Sequence, residues 1–237
     1  MMRFAIVAGG EGARLKAEGA ACPKPLVRLY DEPLISRLIR IFALAGAQEL
    51  VVLLRPEAED VKQVIRQVAC QYGPSLQIVE AATPSSMHSL YALKPYLQGD
   101  PFCLTTVDTV FEEQRFVRFV SEAQHALTKQ EADGCMGVTT YIDDESPLYV
   151  QTDTDGLITA FEDTSKTASY VSAGVYVLQA EALDVLQQCV ERGESRLRNF
   201  QRALLHHGYK LHACDLGKVA DIDHISDIAV AESILKH

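Results

Sequence analysis

The sequence predicts an α/β fold: a three-layer α/β/α sandwich with a mostly parallel central sheet and a small antiparallel insertion. Three observations lead to this prediction. Strand-like and helix-like segments alternate through the first half of the 237 residues. Their connections are short, as in repeated β-α units, which favour a parallel sheet covered by helices on both faces. In the second half, short strands follow one another, and the turn Asp153–Gly156 is typical of a hairpin.

The first half reads as alternating strands and helices. Arg3–Ala8 is short, apolar and stopped by glycine, which indicates a buried strand. In Pro33–Ala45 the apolar residues fall on one helical face, proline suits the first turn, and Gly46 suits the end of the helix. The same patterns then predict strands at Leu50–Leu54, Leu76–Glu80 and Phe102–Val107, and helices around 61–68, at Ser86–Tyr96 and at Phe116–Leu127.

The second half contains the predicted antiparallel part. Strands are expected at Cys135–Tyr141, Leu148–Thr152, Leu157–Phe161, Tyr170–Leu178 and Lys210–Asp215, and helices near 180–191, 197–207 and at Ile225–Lys236. The sequence shows no internal repeat and no long linker. We therefore expect one domain over residues 1–237, with the antiparallel insertion at about 134–178.

Composition limits the partners of the chain. The hydrophobic share of 48% and charged share of 23% are typical of a globular protein. A formal net charge of −10 disfavours broad binding to nucleic acid. No apolar run approaches the ~20 residues that span a bilayer, so no membrane association is expected. The six cysteines are scattered without a C-x-x-C pair, which favours reduced thiols and a cytoplasmic location.

A glycine-rich loop follows the first strand. Gly9, Gly10 and Gly12 would let backbone N–H groups converge on an anion, because no Cβ blocks a close approach. The dinucleotide fingerprint requires a further glycine three residues beyond Gly12, and the P-loop requires Gly-Lys-Ser/Thr; neither is present. By itself the loop is equally compatible with phosphate binding and with a structural turn.

Two cationic residues follow this loop. Arg14 can offer a fork of donors to phosphate oxygens. Lys24 stands between Pro23 and Pro25, which predicts that it is held in an extended segment. Taken singly, Lys24 is better explained as a solvated surface lysine in a proline-rich loop.

Together, G9-G10-E11-G12-A13-R14-L15 and P23-K24-P25-L26 resemble the sugar-nucleotidyltransferase family, which comprises nucleotide-diphosphate-sugar pyrophosphorylases and cytidylyltransferases. The resemblance implies the Rossmann-like fold of the nucleotide-diphospho-sugar transferases. It also implies catalytic roles for two residues: Arg14 would bind the triphosphate, and Lys24 would bind the attacking phosphate and the α-phosphate. The nucleotide-binding residues that it implies are Ala8, Gly9, Gly10, Glu11 and Gly12, with Thr83, Ser85 and Ser86 in the base loop. Ser86 is equally compatible with capping the following helix.

Aspartates occupy the family's metal positions. Asp108 ends an apolar strand, at the edge where ligands of open α/β sheets gather. The resemblance implies that Asp108 binds catalytic Mg²⁺, with a turn or helix-capping role as the alternative. Near the C-terminus, Asp221 and Asp223 can point the same way if the segment is extended. Asp223 matches the second metal ligand best, and Asp221 is a further candidate; alternatively, Asp223 caps the next helix.

The resemblance also implies an acceptor pocket. Glu162, Ser172 and Gly174 match acceptor-binding positions, although Ser172 replaces an asparagine and Asp163 stands where the family has lysine. The implied reaction joins a nucleoside monophosphate from a nucleoside triphosphate to a phosphorylated small molecule, most simply a sugar 1-phosphate, and releases pyrophosphate. The alternatives are a choline-phosphate-type cytidylyltransferase and a non-catalytic nucleotide-binding regulatory protein of the same fold. A homo-oligomer is a further expectation.

Overall fold

The computed structural model describes residues 1–142 and 146–236. The strands are β1 (Arg3–Val7), β2 (Arg28–Leu29), β3 (Glu32–Pro33), β4 (Glu49–Leu54), β5 (Ser75–Glu80), β6 (Phe102–Thr106), β7 (Thr109–Val110), β8 (Gly134–Thr139), β9 (Tyr149–Thr152), β10 (Ile158–Glu162), β11 (Tyr170–Leu178), β12 (Leu211–Asp215) and β13 (Ala220–Asp221). The α-helices are α1 (Ala13–Ala17), α2 (Leu34–Leu44), α3 (Glu59–Tyr72), α4 (Ser86–Leu97), α5 (Glu113–Thr128), α6 (Ala182–Glu191), α7 (Leu197–His206) and α8 (Ile225–Ile234). None of the helices in these ranges combines the length and the apolar character needed to cross a membrane.

The central sheet has the order β10-β9-β11-β6-β1-β4-β5. Strands β6, β1, β4 and β5 are parallel, and Ala5 of β1 pairs with Val51 on one side and Leu104 on the other. Strand β11 runs antiparallel to β6, β8 runs antiparallel to β11, and β12 is parallel to β8. The predicted α/β fold with a mostly parallel sheet is confirmed, and the strands of the 134–178 stretch extend the same sheet.

Helices cover both faces of the sheet because the strands are apolar on both faces. Along β1, Phe4 and Ile6 join the core under α2, α3 and α5. Ala5 and Val7 face the opposite way and join the core under α4, α6 and α7. Successive strand side chains point to opposite faces, so one short apolar strand serves both cores.

The chain order across the sheet locates a crevice. From β1 the chain proceeds outward through β4 to β5, and then returns to β6 on the other side of β1. Such a reversal opens a crevice at the carboxyl ends of the strands, where ligands of open α/β sheets bind. The glycine-rich loop and Asp108 follow β1 and β6 directly, so both lie at this crevice.

The short elements were missed by the sequence pattern because two to five residues carry no readable periodicity. They include α1, the β2–β3 hairpin and the pairing of β7 with β13. One expectation was wrong: Lys24 is not in an extended segment. Pro23 is extended, but Lys24 opens a 3₁₀ turn through Leu26, in which the Leu26 amide donates to the Pro23 carbonyl at 2.8 Å. Pro25 lies early in this turn, where its fixed φ is compatible and its missing N–H costs nothing.

Four phenylalanine rings hold α2 and α5 against β1 and the segment after Asp108. Ring centroids are 5.1 Å apart for Phe4 and Phe42, 5.2 Å for Phe42 and Phe116, and 4.7 Å for Phe111 and Phe116. Phe116 therefore contacts the rings of both Phe42 and Phe111. All four side chains are fully buried.

We expect Phe116→Ala to lower the free energy of unfolding by about 3–5 kcal/mol, because it removes a buried ring and leaves a cavity. Urea denaturation measures this change. Leu44→Ala on α2 is the control, because Leu44 is 57% exposed and its truncation should change stability by less than about 0.5 kcal/mol. Equal effects of the two substitutions would contradict the role of the phenylalanine cluster.

Candidate functional site

Lys24 lies at the centre of the site, between two carboxylates. Its Nζ donates to Asp108 Oδ2 at 2.5 Å and to Asp223 Oδ1 at 2.7 Å. The two aspartates are 84 and 199 residues away along the chain, and the Lys24 side chain is only 10% exposed. The structure thus brings together three of the residues that the sequence singled out.

The charges of this cluster reinforce one another. Burial by itself disfavours the charged form of Lys24, but attraction and hydrogen bonding to Asp108, with Asp223, outweigh it and raise the pKa of Lys24. Burial also opposes charge on Asp223, whereas its hydrogen bond to Lys24 and the nearby Arg14 lower the pKa of this carboxyl. Lys24 and Asp223 are therefore both ionised at neutral pH.

Asp223 does not cap helix α8, so that alternative is wrong. Its second carboxylate oxygen, Oδ2, accepts from Arg14 Nη1 at 2.9 Å. The N-cap of α8 is His224, and the carboxylate of Asp227 accepts from the backbone N–H groups of residues 223 and 224. Because Asp227 takes the capping role, both oxygens of Asp223 face cationic side chains.

Asp221 lies next to this cluster on β13, which pairs with β7 directly after Asp108. Desolvation by the surrounding protein and the like charge of Asp108 raise the pKa of the Asp221 carboxyl to about 7. Among residues 1–142 and 146–236, no three His, Cys, Asp or Glu side chains are arranged as a metal site.

A cleft of about 530 Å³, here called the loop cleft, opens beside Lys24. The eight predicted nucleotide-binding residues of the glycine loop and the base loop line it, together with Lys24 and Asp108. The lining comprises Val7, Ala8, Gly9, Gly10, Glu11, Gly12, Lys24, Pro25, Arg55, Thr83, Pro84, Ser85, Ser86, Ser89, Thr106, Val107 and Asp108. Segments from five regions of the sequence therefore form one surface at the carboxyl edge of the sheet.

Steric constraints explain why two positions of the loop are occupied by glycine. Gly12 is the N-cap of α1 with φ of 59°, a left-handed conformation that costs other residues roughly 1–2 kcal/mol. A Cβ on Gly9 would lie 2.6 Å from Cδ2 of the buried Leu53, whereas a Cβ on Gly10 would meet nothing within 4 Å. Gly9 therefore packs directly against Leu53 of β4, where a larger residue would require a shift.

The hydroxyl groups of the predicted base loop differ in their availability. Ser85, and not Ser86, caps α4, since its Oγ accepts from the His88 amide at 3.3 Å. Thr83 Oγ1 lies 2.6 Å from Ser89 Oγ. Ser86 is exposed, and its hydroxyl has no hydrogen-bond partner in the described part of the chain, so it is free for a ligand.

Arg55 lines the loop cleft and was missed by the sequence reading. It directly follows β4, and its guanidinium contacts Glu57 at 2.5 Å and Glu11 at 3.3 Å. Its position after the carboxyl end of a central parallel strand was the signal that could have found it.

A second, smaller cleft of about 260 Å³ lies on the other side of the Lys24 cluster and is here called the acceptor cleft. Ser172 and Arg14 line it with Asp221, Asp223 and His224. Arg14 thus lies on this side, and not in the loop cleft with the glycine loop.

The other two predicted acceptor-binding residues lie outside the lining of both clefts. Gly174 has a φ of 69°, and a Cβ at this position would lie 3.3 Å from Thr109 Oγ1. It therefore allows β11 to pass close to the turn after Asp108. Glu162 faces the neighbouring strand instead, where it accepts from Gln151 Nε2 at 3.1 Å.

These features define a class of protein. A parallel sheet between two helical layers, with a glycine-rich loop and a buried cation at its switch point, is typical of α/β proteins that bind phosphorylated ligands at the carboxyl ends of the strands. A family model described as nucleotidyl transferase matches residues 5–235, and the chain belongs to this family. The resemblance inferred from the two motifs is confirmed.

Individual relatives match a smaller part of the chain than the family model does. A glucose-1-phosphate thymidylyltransferase of Xanthomonas campestris is 27% identical over 107 residues, which cover 45% of this chain and 36% of the relative. A mannose-1-phosphate guanyltransferase of Eremothecium gossypii is 26% identical over 196 residues, covering 78% of this chain and 52% of the relative. The chain thus spans about a third to a half of the length of these curated relatives.

The fold is shared with a solved structure, an inositol-1-phosphate CTP transferase from T. maritima. The TM-score is 0.80 at 20% sequence identity, over 100% of this chain and 97% of the other. At this identity the similarity establishes the fold.

We expect Gly9→Ala to destabilise the protein, because the new methyl group meets the buried Leu53 side chain, and overpacking costs about 1–3 kcal/mol. Gly10→Ala is the matched control, since its Cβ would point into open space. Thermal unfolding of both variants measures the difference. Unfolding of Gly9→Ala at the wild-type temperature would show that Gly9 is not required for this packing.

Proposed function

We propose that the chain is an enzyme that transfers a nucleoside monophosphate from a nucleoside triphosphate to a phosphorylated acceptor, a sugar 1-phosphate, releasing pyrophosphate and forming a nucleoside-diphosphate sugar. The position of Lys24 carries this proposal. Lys24 lines the loop cleft, and its ion-pair partner Asp223 lines the acceptor cleft. A reaction between two phosphates, one in each cleft, would take place beside this cation.

The reaction requires two polyanions to approach each other, and the site supplies fixed positive charge. Lys24 remains protonated because Asp108 and Asp223 raise its pKa. Arg14 adds a guanidinium that is anchored on Asp223. Backbone N–H groups of the glycine loop can bind the triphosphate without adding charge.

The phosphate of the acceptor is ionised near neutral pH, so it needs no protein base. One of its oxygens attacks the α-phosphorus, a new P–O bond forms, and the bond from the α-phosphorus to the bridging oxygen breaks with pyrophosphate as the leaving group. In our assignment Lys24 holds the attacking phosphate and the α-phosphate. Arg14 binds the triphosphate from the side of the acceptor cleft. Positioning and electrostatic stabilisation supply most of the catalysis in such transfers.

Asp108 and Asp223 fit a magnesium ion by their chemistry and by their convergence. One oxygen of each reaches the same ammonium, so the two oxygens lie close together. Mg²⁺ in nucleotide sites is bound by one or two carboxylates together with phosphates and waters, which agrees with a pair of aspartates in place of a full protein cage. When bound, Mg²⁺ would neutralise phosphate charge. Asp221 is a candidate for a further ligand.

The class of acceptor is supported by the relatives, whose names specify glucose 1-phosphate and mannose 1-phosphate. The three names differ in the nucleotide, which is thymidylyl, guanylyl or CTP-derived. A cytoplasmic location is part of the proposal, supported by the six cysteines, which are all free thiols.

We expect Lys24→Ala and Asp108→Ala each to lower turnover by at least ~100-fold, the low end for losing one transition-state contact. Lys16→Ala is the control: Lys16 is an exposed lysine on α1 that lines neither cleft. Pyrophosphate release by the purified variants is the measurement. Near-normal release from the Lys24 or Asp108 variant would refute these assignments.

The activity itself is tested with a matrix of four nucleoside triphosphates against sugar 1-phosphates, inositol 1-phosphate and choline phosphate, with Mg²⁺ present or chelated. We expect pyrophosphate release with at least one sugar 1-phosphate, dependent on Mg²⁺. Release only with choline phosphate would favour the cytidylyltransferase alternative. Triphosphate binding by calorimetry without release on any acceptor would favour a regulatory protein.

A further inference from the structure

A third cleft, of about 990 Å³, is lined by positively charged side chains and is here called the basic cleft. Its charged residues are Lys166, Arg196, Arg198, Arg202 and Asp163, so four cations face one carboxylate in the described lining. This excess is unexpected in a chain whose formal net charge is −10.

Two of the arginines are held in place by protein groups. Asp163 contacts Arg198 Nη1 at 2.6 Å and Arg202 Nη2 at 2.8 Å. Arg198 also donates to the carbonyl of Ser146 at 2.9 Å, and Arg202 donates to the carbonyl of Phe161 at 3.0 Å. With both guanidinium groups fixed, little conformational entropy would be lost when they bind an anion.

The other two cations have no such partners. Lys166 and Arg196 are exposed, and neither side chain forms a hydrogen bond or ion pair within residues 1–142 and 146–236. Asp163 is already shared between Arg198 and Arg202. The positive charge of Lys166 and Arg196 is therefore not balanced within the described lining.

The start of helix α7 increases this imbalance. Arg196 is its N-cap, Arg198 is in its first turn, and that turn contains no acidic residue. Cations are unfavourable at a helix N-terminus, where the helix dipole favours negative charge. A bound anion would interact favourably with the arginines and with the helix terminus.

The basic cleft adjoins the acceptor cleft through shared structural elements. Arg198 and Arg202 of helix α7 line the basic cleft. Gln201 Nε2 of the same helix donates to Ser172 Oγ of the acceptor cleft at 3.1 Å. The Ser172 amide donates to the carbonyl of Leu148, which lies between two lining residues of the basic cleft. A small molecule that extends past Ser172 would approach these arginines.

We propose that the basic cleft binds an anionic group, a phosphate or carboxylate, of a small molecule, and that this group is separate from the two phosphates that react. The anion has two sources: a second acidic group of the acceptor itself, or a separate anionic effector. The first source rests on the proposed function, and the second does not.

Binding is tested with the double variant Lys166→Ala/Arg196→Ala, which removes the two unbalanced charges. Calorimetry with inorganic phosphate and with glucose 1,6-bisphosphate should show at least about tenfold weaker binding by the variant, because hydrogen bonds to charged groups are lost. The charge-retaining variant Lys166→Arg/Arg196→Lys should keep most of the affinity. Arg66→Ala/Lys129→Ala is the matched control: it removes the same two charges from α3 and from the end of α5, which do not line the cleft.

The two sources are separated by kinetics and competition. If the acceptor supplies the anion, glucose 1,6-bisphosphate should have a KM at least about tenfold below that of glucose 1-phosphate, and the double variant should lose only this advantage. If an effector supplies it, inorganic phosphate should still bind when acceptor and nucleotide are saturating.

Equal affinities of wild type and the double variant for both probes would overturn the proposal. Calorimetry requires no turnover, so this result is distinguishable from failure of the proposed function. If no pyrophosphate is released with any pair of substrates, loss of phosphate binding in the double variant would still establish the basic cleft as an anion site.

Discussion

The ion pairs of Lys24 with Asp108 and Asp223 are the interaction on which the rest of the site depends. They join a 3₁₀ turn near the start of the chain, the end of a central strand and a segment near the C-terminus. A charged lysine that is nearly buried is stable only when carboxylates lie beside it. The position of each of these three segments is therefore constrained by the other two, and both clefts open from the point where they meet.

The architecture around this cluster has to keep the carboxylates close to each other. Asp108 is followed by β7, and β7 pairs with β13, which leads to Asp223. Phe111, three residues after Asp108, stacks on Phe116 in the core. Gly174 allows β11 to lie against the same turn. Because close-packed interiors resist displacement, the cluster is fixed by the packing beneath it as well as by its own charges.

Local rules placed Lys24 in the wrong conformation and offered the wrong residue as the cap of two helices. Proline geometry predicted an extended Lys24, but a 3₁₀ turn satisfies both prolines and directs the chain into β2. Ser85 caps α4 in place of Ser86, and Asp227 with His224 caps α8 in place of Asp223. Glu162 matched an acceptor motif, yet it hydrogen-bonds to the adjacent strand. For the two helix caps, nearby positions were chemically suitable, and the folded chain selected between them.

The sequence by itself determined the α/β layers, most element positions, the glycine loop and the family, because these depend on periodicity and on contiguous motifs. Arg3–Val7 and Tyr170–Leu178 show this most directly, since their apolar runs mark strands wherever they lie in the sheet. Only the tertiary structure decided that Asp223 joins Lys24, that Arg14 faces the acceptor cleft, and that Arg55 enters the loop cleft. It alone assembled the four cations of the basic cleft. These are contacts between segments far apart in the chain, and their geometry depends on how the helices and strands pack together.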